Sequence, residues 1–223
     1  MCARSYSSPS EHENRAAARV YTTCTQPKTL AITFDDGPNT YTKTIVDTLD
    51  KAGGKATFFF NGKNYNCIYD TTNADRAKYA FDRGHQVASH TWSHLHLPTL
   101  STAQITSEFQ RANDAIKKIT GAVPRLFALL LESTTQTFRT SLDPSDNPWS
   151  LGIWTRKTGT EPRSLKLRPP ILTLGSPSDH SWDVLRTSTP WVINYAKSKG
   201  YKLVTVAECV GSALHLKRFS FGP

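Results

Sequence analysis

Hydrophobic and polar positions repeat with two periods along this chain, and each change of period marks an element. Leu30 to Phe34 is a short apolar, β-prone run that stops at Asp35, Asp36 and a Gly37-Pro38 turn. It predicts a strand with both carboxylates at its C-terminal tip. Helical spacing follows: Ile45, Val46 and Leu49 share one face between Tyr41 and Ala52, and Gly53-Gly54 stops the helix. A strand over Lys55 to Phe60, a helix near Asn73 to Arg83 and a strand over His85 to Ser89 come next. Ser101 with Gln104 reads as a capping box for a helix to about Ile119, in which Ile105, Phe109, Ala112 and Ile116 recur at helical spacing. Towards the C-terminus, Pro190 predicts a helix starting at Trp191, followed by a strand from Lys202 to Val206. Strands alternating with helices predict a parallel sheet in an α/β fold, here a distorted (β/α) barrel.

Composition narrows this little. With 223 residues, the chain has room for one barrel domain and not for two ordinary domains. No apolar run is long enough to cross a bilayer, and residues 1–19 are polar and charged, so no signal peptide is expected in this chain. The net charge of +9 would admit nucleic acid, but no basic helix or aromatic-interleaved basic stripe accompanies it. Attraction to an acidic cell wall accounts for the charge equally well, and no nucleic-acid partner is expected. Among four cysteines, Cys24 precedes the first barrel strand and Cys209 follows the last, so a closing barrel would bring them together as a disulfide. Cys2 and Cys67 show no obvious partner, and a cytosolic address would keep all four reduced.

The chemistry lies in two short stretches, Thr-Phe-Asp-Asp-Gly-Pro at Thr33 to Pro38 and Ser-His-Thr-Trp-Ser-His at Ser89 to His94. Taken singly, an Asp-Asp-Gly-Pro is most often a solvated turn and a His-x-x-x-His a surface pair. Their joint context reverses that, because each follows a strand and α/β barrels keep their chemistry at strand C-terminal ends. His90 and His94 are spaced to share one face of a helical turn. With Asp36 they would form an N,N,O triad leaving one position open for water, a credible zinc site.

These residues resemble the polysaccharide deacetylase family with its NodB-type domain, most nearly its fungal chitin deacetylases. The likeness is dense from Cys24 to Phe127, including Leu-Ala-Ile-Thr-Phe-Asp-Asp-Gly-Pro, Ala-Thr-Phe-Phe-Phe-Asn-Gly at Ala56 to Gly62, Gly84 to His90, and Leu100-Ser101. It resumes from Trp191 to Gly211. The resemblance implies a domain over 26–211, after a polar segment 1–25 and before a tail 212–223. It implies a metal-dependent hydrolase removing N-acetyl groups from N-acetylglucosamine units of chitin or a related polymer. Asp35 would be the general base; Asp36, His90 and His94 would hold Zn2+, with Co2+ or Ni2+ able to occupy the same donors. Secretion or a cell-wall location and a monomeric state go with it. Trp92 is a candidate sugar platform, although packing is its commoner use, and Trp154 is a second candidate for substrate contact.

Between Ala128 and about Pro190 the likeness fails. The family's Arg-Pro-Pro is due after Pro124-Arg125-Leu126-Phe127, but the chain reads Ala128-Leu129-Leu130-Leu131-Glu132-Ser133-Thr134-Thr135. Codons such as GCC CTC CTC TTG GAA AGT ACA AC can encode that stretch, and one restored C would make them read Arg-Pro-Pro-Leu-Gly-Lys-Tyr-Asn. Similar single-base changes could turn Trp154-Thr155 into Trp-Asp and give Asp-His from Gly175-Ser176-Pro177. Out-of-frame stretches within 128–190 are therefore expected, with a divergent insert as the alternative. Arg168-Pro169-Pro170 falls too late in the order to substitute, and His180 is the remaining candidate acid. If the segment is genuine, the barrel would be left incomplete. The same ligands would then serve a metal- and carbohydrate-binding relic. A third reading is an O-acetyl esterase acting on xylan or peptidoglycan.

Overall fold

The computed structural model describes residues 19–124, 126–129, 152–155, 171–174 and 181–211. Eight strands are described: β1 (Arg19–Tyr21), β2 (Thr29–Gly37), β3 (Thr57–Phe60), β4 (Gln86–Ser89), β5 (Phe127–Leu129), β6 (Gly152–Thr155), β7 (Ile171–Leu174) and β8 (Lys202–Val204). They form one sheet in the order β1-β6-β5-β4-β3-β2-β7, with β8 also on β2, and every pairing is parallel. Strand β2 divides one edge between two neighbours: Ala31–Phe34 pair with β7 and Thr29–Ala31 with β8. The described path is thus an open, half-barrel sheet, as a distorted barrel requires. Strands β5, β6 and β7 come from the segment in which the sequence pattern assigned no element.

The helices are α1 (Thr42–Lys51), α2 (Thr71–Asp82), α3 (Thr102–Thr120), α4 (Ser181–Ser198) and α5 (Val206–Cys209), with a 3-10 turn at Leu97–Thr99. The capping box at Ser101 is formed as read, and Gly121 ends α3 in a left-handed conformation at φ 76°. One boundary differs. Pro190 lies inside α4, which begins at Ser181 rather than Trp191. A proline is favoured in the first turn of a helix, but here the residues before it are helical too, with Leu185 and Thr189 buried.

Two apolar layers explain the strand sequences. Ile32, Phe34, Phe58 and Phe60 pack outward under the helices with Ile45, Leu49 and Ile116. Ala31, Phe59, Ala88, Ala128, Ile171 and Val204 point inward with both disulfide-forming Cys24 and Cys209. Burial on both faces is what a parallel sheet under helices demands, so these strands read as apolar runs. At the bottom, the Val206 and Ala207 N–H groups donate to Thr57 Oγ1 (2.9 Å) and Gln86 Oε1 (3.1 Å), so two inward polar side chains satisfy the first turn of α5. Cys67 is disulfide-bonded as well, although the sequence showed no obvious partner for it.

His85, just before β4, carries a consequence for stability. Its Nδ1 accepts the Ala56 N–H at 3.2 Å, so the proton sits on Nε2, 3.3 Å from Asp50 Oδ1. Burial, and after it the Lys55 ammonium, outweigh the attraction of Asp50 and push the His85 pKa down to about 4. The folded protein therefore binds fewer protons here than the unfolded chain, whose histidine titrates at about 6.5. This contribution is fully present above that pH and is lost as pH falls towards 4, about 2 kcal/mol of it by pH 5. Urea midpoints between pH 7.5 and 5 should fall accordingly, and His85→Gln should flatten that slope. An unchanged slope in the variant would refute the assignment.

Candidate metal centre

The site is assembled where β2 and β4 end. Asp35 continues the inward face of Ala31 and Thr33, as strand alternation requires. Asp36 breaks the alternation with a left-handed backbone at φ 65° and lies 5 % exposed. His90 follows β4 directly, its N–H donating to Phe60 O at 2.9 Å. Its Nδ1 lies 2.9 Å from Ala128 O, an atom that can only accept, so Nδ1 carries the proton and Nε2 presents its lone pair. That lone pair is 3.5 Å from Asp36 Oδ1, and His94 Nε2 is 3.2 Å from the same oxygen.

The path from His90 to His94 is not the helical turn that the four-residue spacing suggested. It is a loop with left-handed residues at Thr91 (φ 69°) and His94 (φ 54°), each unfavourable for a residue with a Cβ. Hydrogen bonds fix it from several sides: Gly62 N–H to Thr91 O (3.3 Å), Lys63 N–H to Trp92 O (2.6 Å), His94 N–H to Thr91 Oγ1 (3.2 Å), and the Asn61 amide to the His90 and Thr91 carbonyls. Spacing alone cannot distinguish this geometry from a helix, because both bring residues i and i+4 together.

Trp92 is 3 % exposed and pressed against Gly62, where a Cβ would come within 1.9 Å of the indole. It is therefore part of the packing, which corrects its candidacy as a sugar platform. Trp154 lies on β6, its backbone in register with Ala128 and Tyr21. His180 lies outside the described residues.

Among the described residues, Asp36, His90 and His94 are the one group of three such side chains able to offer ligand atoms within 4.8 Å of one another. The donor set fits a metal ion. It has two imidazoles and a carboxylate, His90 is held in the tautomer that leaves Nε2 free, and burial lowers the His90 pKa and favours its neutral form. Asn64 Nδ2 reaches Asp36 Oδ1 at 3.4 Å. Beside the triad, burial and then the Asp36 carboxylate raise the Asp35 pKa well above the usual range. Asp35 Oδ1 is buried with no hydrogen-bond partner among the described residues.

A half-barrel parallel sheet with a His-His-Asp cluster at its C-terminal edge places the protein among α/β folds that carry chemistry at strand tips. The chain belongs to the polysaccharide deacetylase family, whose model matches residues 22–142. It is 33% identical over 206 residues to a chitin deacetylase of Colletotrichum lindemuthianum, covering 85% of this chain and 82% of that protein. The solved structure of that fungus's chitin deacetylase superposes with a TM-score of 0.72 at 28% identity, over 89% of this chain and 94% of that one. A chitin deacetylase of a Pestalotiopsis species is 49% identical over 105 residues, 47% of this chain and 35% of that longer protein. A Bacillus anthracis protein described as a pseudoenzyme of carbohydrate esterase family 4 matches with a TM-score of 0.68 at 25% identity, over 90% and 72% of the two chains. No described helix is long and apolar enough to cross a membrane.

Proposed function

We propose that the protein is a zinc-dependent N-deacetylase acting on chitin or a related N-acetylglucosamine polymer, working as a secreted or wall-associated monomer. The convergence of one Asp36 oxygen and two imidazole Nε2 atoms at the sheet's C-terminal edge, next to the half-buried Asp35, carries this reading. Asp36, His90 and His94 would hold the ion, with cobalt or nickel suited to the same donors. When bound, it supplies Lewis-acid polarisation of the acetamide carbonyl and acidifies water. Asp35 takes the proton of the attacking water, a role open to it because its neighbour alone among the two carboxylates is a ligand. His180 is assigned to protonating the departing amine, and Trp154 to contact with the sugar.

A second reading rests on Asp35. Its Oδ1 has no partner among the described residues, and Ala128, standing where the resemblance places an arginine, adds only a methyl group to the inner layer. Such a chain would hold metal and sugar without turning over.

Acetate release separates the readings. The deacetylase should release acetate from chitin oligomers, lose this activity to a chelator and regain it with zinc. Stoichiometric zinc without acetate from any substrate would leave the non-catalytic relic, and acetate from acetylated xylan alone would indicate an esterase.

A further inference from the structure

We propose that Glu108 is a positioning residue for the metal centre, holding the link between the two histidines so that both imidazoles meet Asp36. The inference rests on the metal reading above. His90 is fixed by β4 and by the Ala128 carbonyl, but His94 lies beyond a three-residue link outside any strand. Left-handed residues bound that link at Thr91 and His94, so the conformation persists only if its surroundings determine it. Helix α3 does much of this. Glu108 Oε2 accepts the Ser93 N–H at 2.6 Å, and one turn later the Arg111 guanidinium lies 4.3 Å from the Trp92 ring centroid.

Glu108 is only 6 % exposed and lies outside the group of three candidate ligands. Burying a carboxylate is costly, whereas a charged acceptor on a backbone N–H is about twice as strong as a neutral one. Its place on α3 is itself rigid: Ile105, Phe109, Ala112 and Ile116 are buried around it and the capping box fixes the helix start. The carboxylate thus transmits the position of a core helix to the backbone one residue before His94. Trp92, gripped between Gly62 and Arg111, keeps the link from rotating.

The test measures zinc affinity of the full chain by chelator competition, alongside the visible spectrum of the cobalt-loaded protein and the melting temperature. Glu108→Ala should weaken zinc by roughly 10- to 100-fold, the range for groups that orient ligands, and alter the cobalt spectrum. Glu108→Gln keeps an acceptor for the Ser93 N–H and should restore both to near wild type. If the alanine variant does not fold, Glu108→Asp, which withdraws the carboxylate by one methylene, should show the same weakening. Wild-type affinity and spectrum in folded Glu108→Ala or Glu108→Asp would overturn the inference alone. A wild-type chain that binds no metal would overturn the metal reading together with it.

Discussion

Asp36→Asn should bind zinc at least ~10³-fold more weakly than wild type and release acetate at background level, while melting within a few degrees of it. The magnitude follows from losing the one anionic donor of a three-ligand set, whose ion contributes several kcal/mol to catalysis, each 1.36 kcal/mol being tenfold in rate. Asparagine is the informative replacement because Asp36 sits at φ 65°, a conformation that asparagine and aspartate tolerate and alanine does not. Its oxygen can still accept from Asn64 Nδ2, now 3.4 Å away, so the strand tip is not emptied. The check is metal content after dialysis against zinc, with acetate release on chitin oligomers and circular dichroism on the same samples. Retained stoichiometric zinc would remove Asp36 from the ligand set. A collapse of the melting temperature would show that the carboxylate instead serves the fold.

Replacing Cys24 and Cys209 together by alanine should cost about 5 kcal/mol, the chain-entropy figure for a loop of 185 residues. For a domain of this size that corresponds to roughly 10–20 °C in melting temperature. The bond ties the segment entering β2 to helix α5, and the Thr25 and Gln26 N–H groups both donate to the Cys209 carbonyl across the same junction (2.9 and 3.1 Å). Since β1 and the β7/β8 pair stand at opposite ends of the described sheet, the ladder does not join its own ends there, and covalent linkage carries more of the closure. Mutation is preferable to reduction because Cys67 is disulfide-bonded too. A drop below about 3 °C would mean that the denatured chain keeps these ends close without the bond.

The sequence by itself determined the elements from Leu30 to Ile119, β2 to α3. Leu30 to Phe34, Lys55 to Phe60 and the Ser101 cap are local signals, since a strand run ends where carboxylates and Gly-Pro begin and a capping box lies within one turn of chain. It also determined which side chains could hold a metal, because few residue types do so and two motifs at strand ends supplied them. Glu108 was legible in principle: it falls on the same helical face as Ile105 and Ala112, and a carboxylate on an apolar stripe needs a buried partner. Tertiary structure decided the rest. Only packing against Gly62 and Arg111 makes Trp92 a wedge rather than a platform. The tautomer of His90 depends on a backbone carbonyl 38 residues away, and a carbonyl leaves no mark in a sequence. The loop between the histidines, the start of α4 and the shared edge of β2 likewise depend on contacts between distant segments. Residue identity and short-range periodicity can restrict such contacts but cannot specify them.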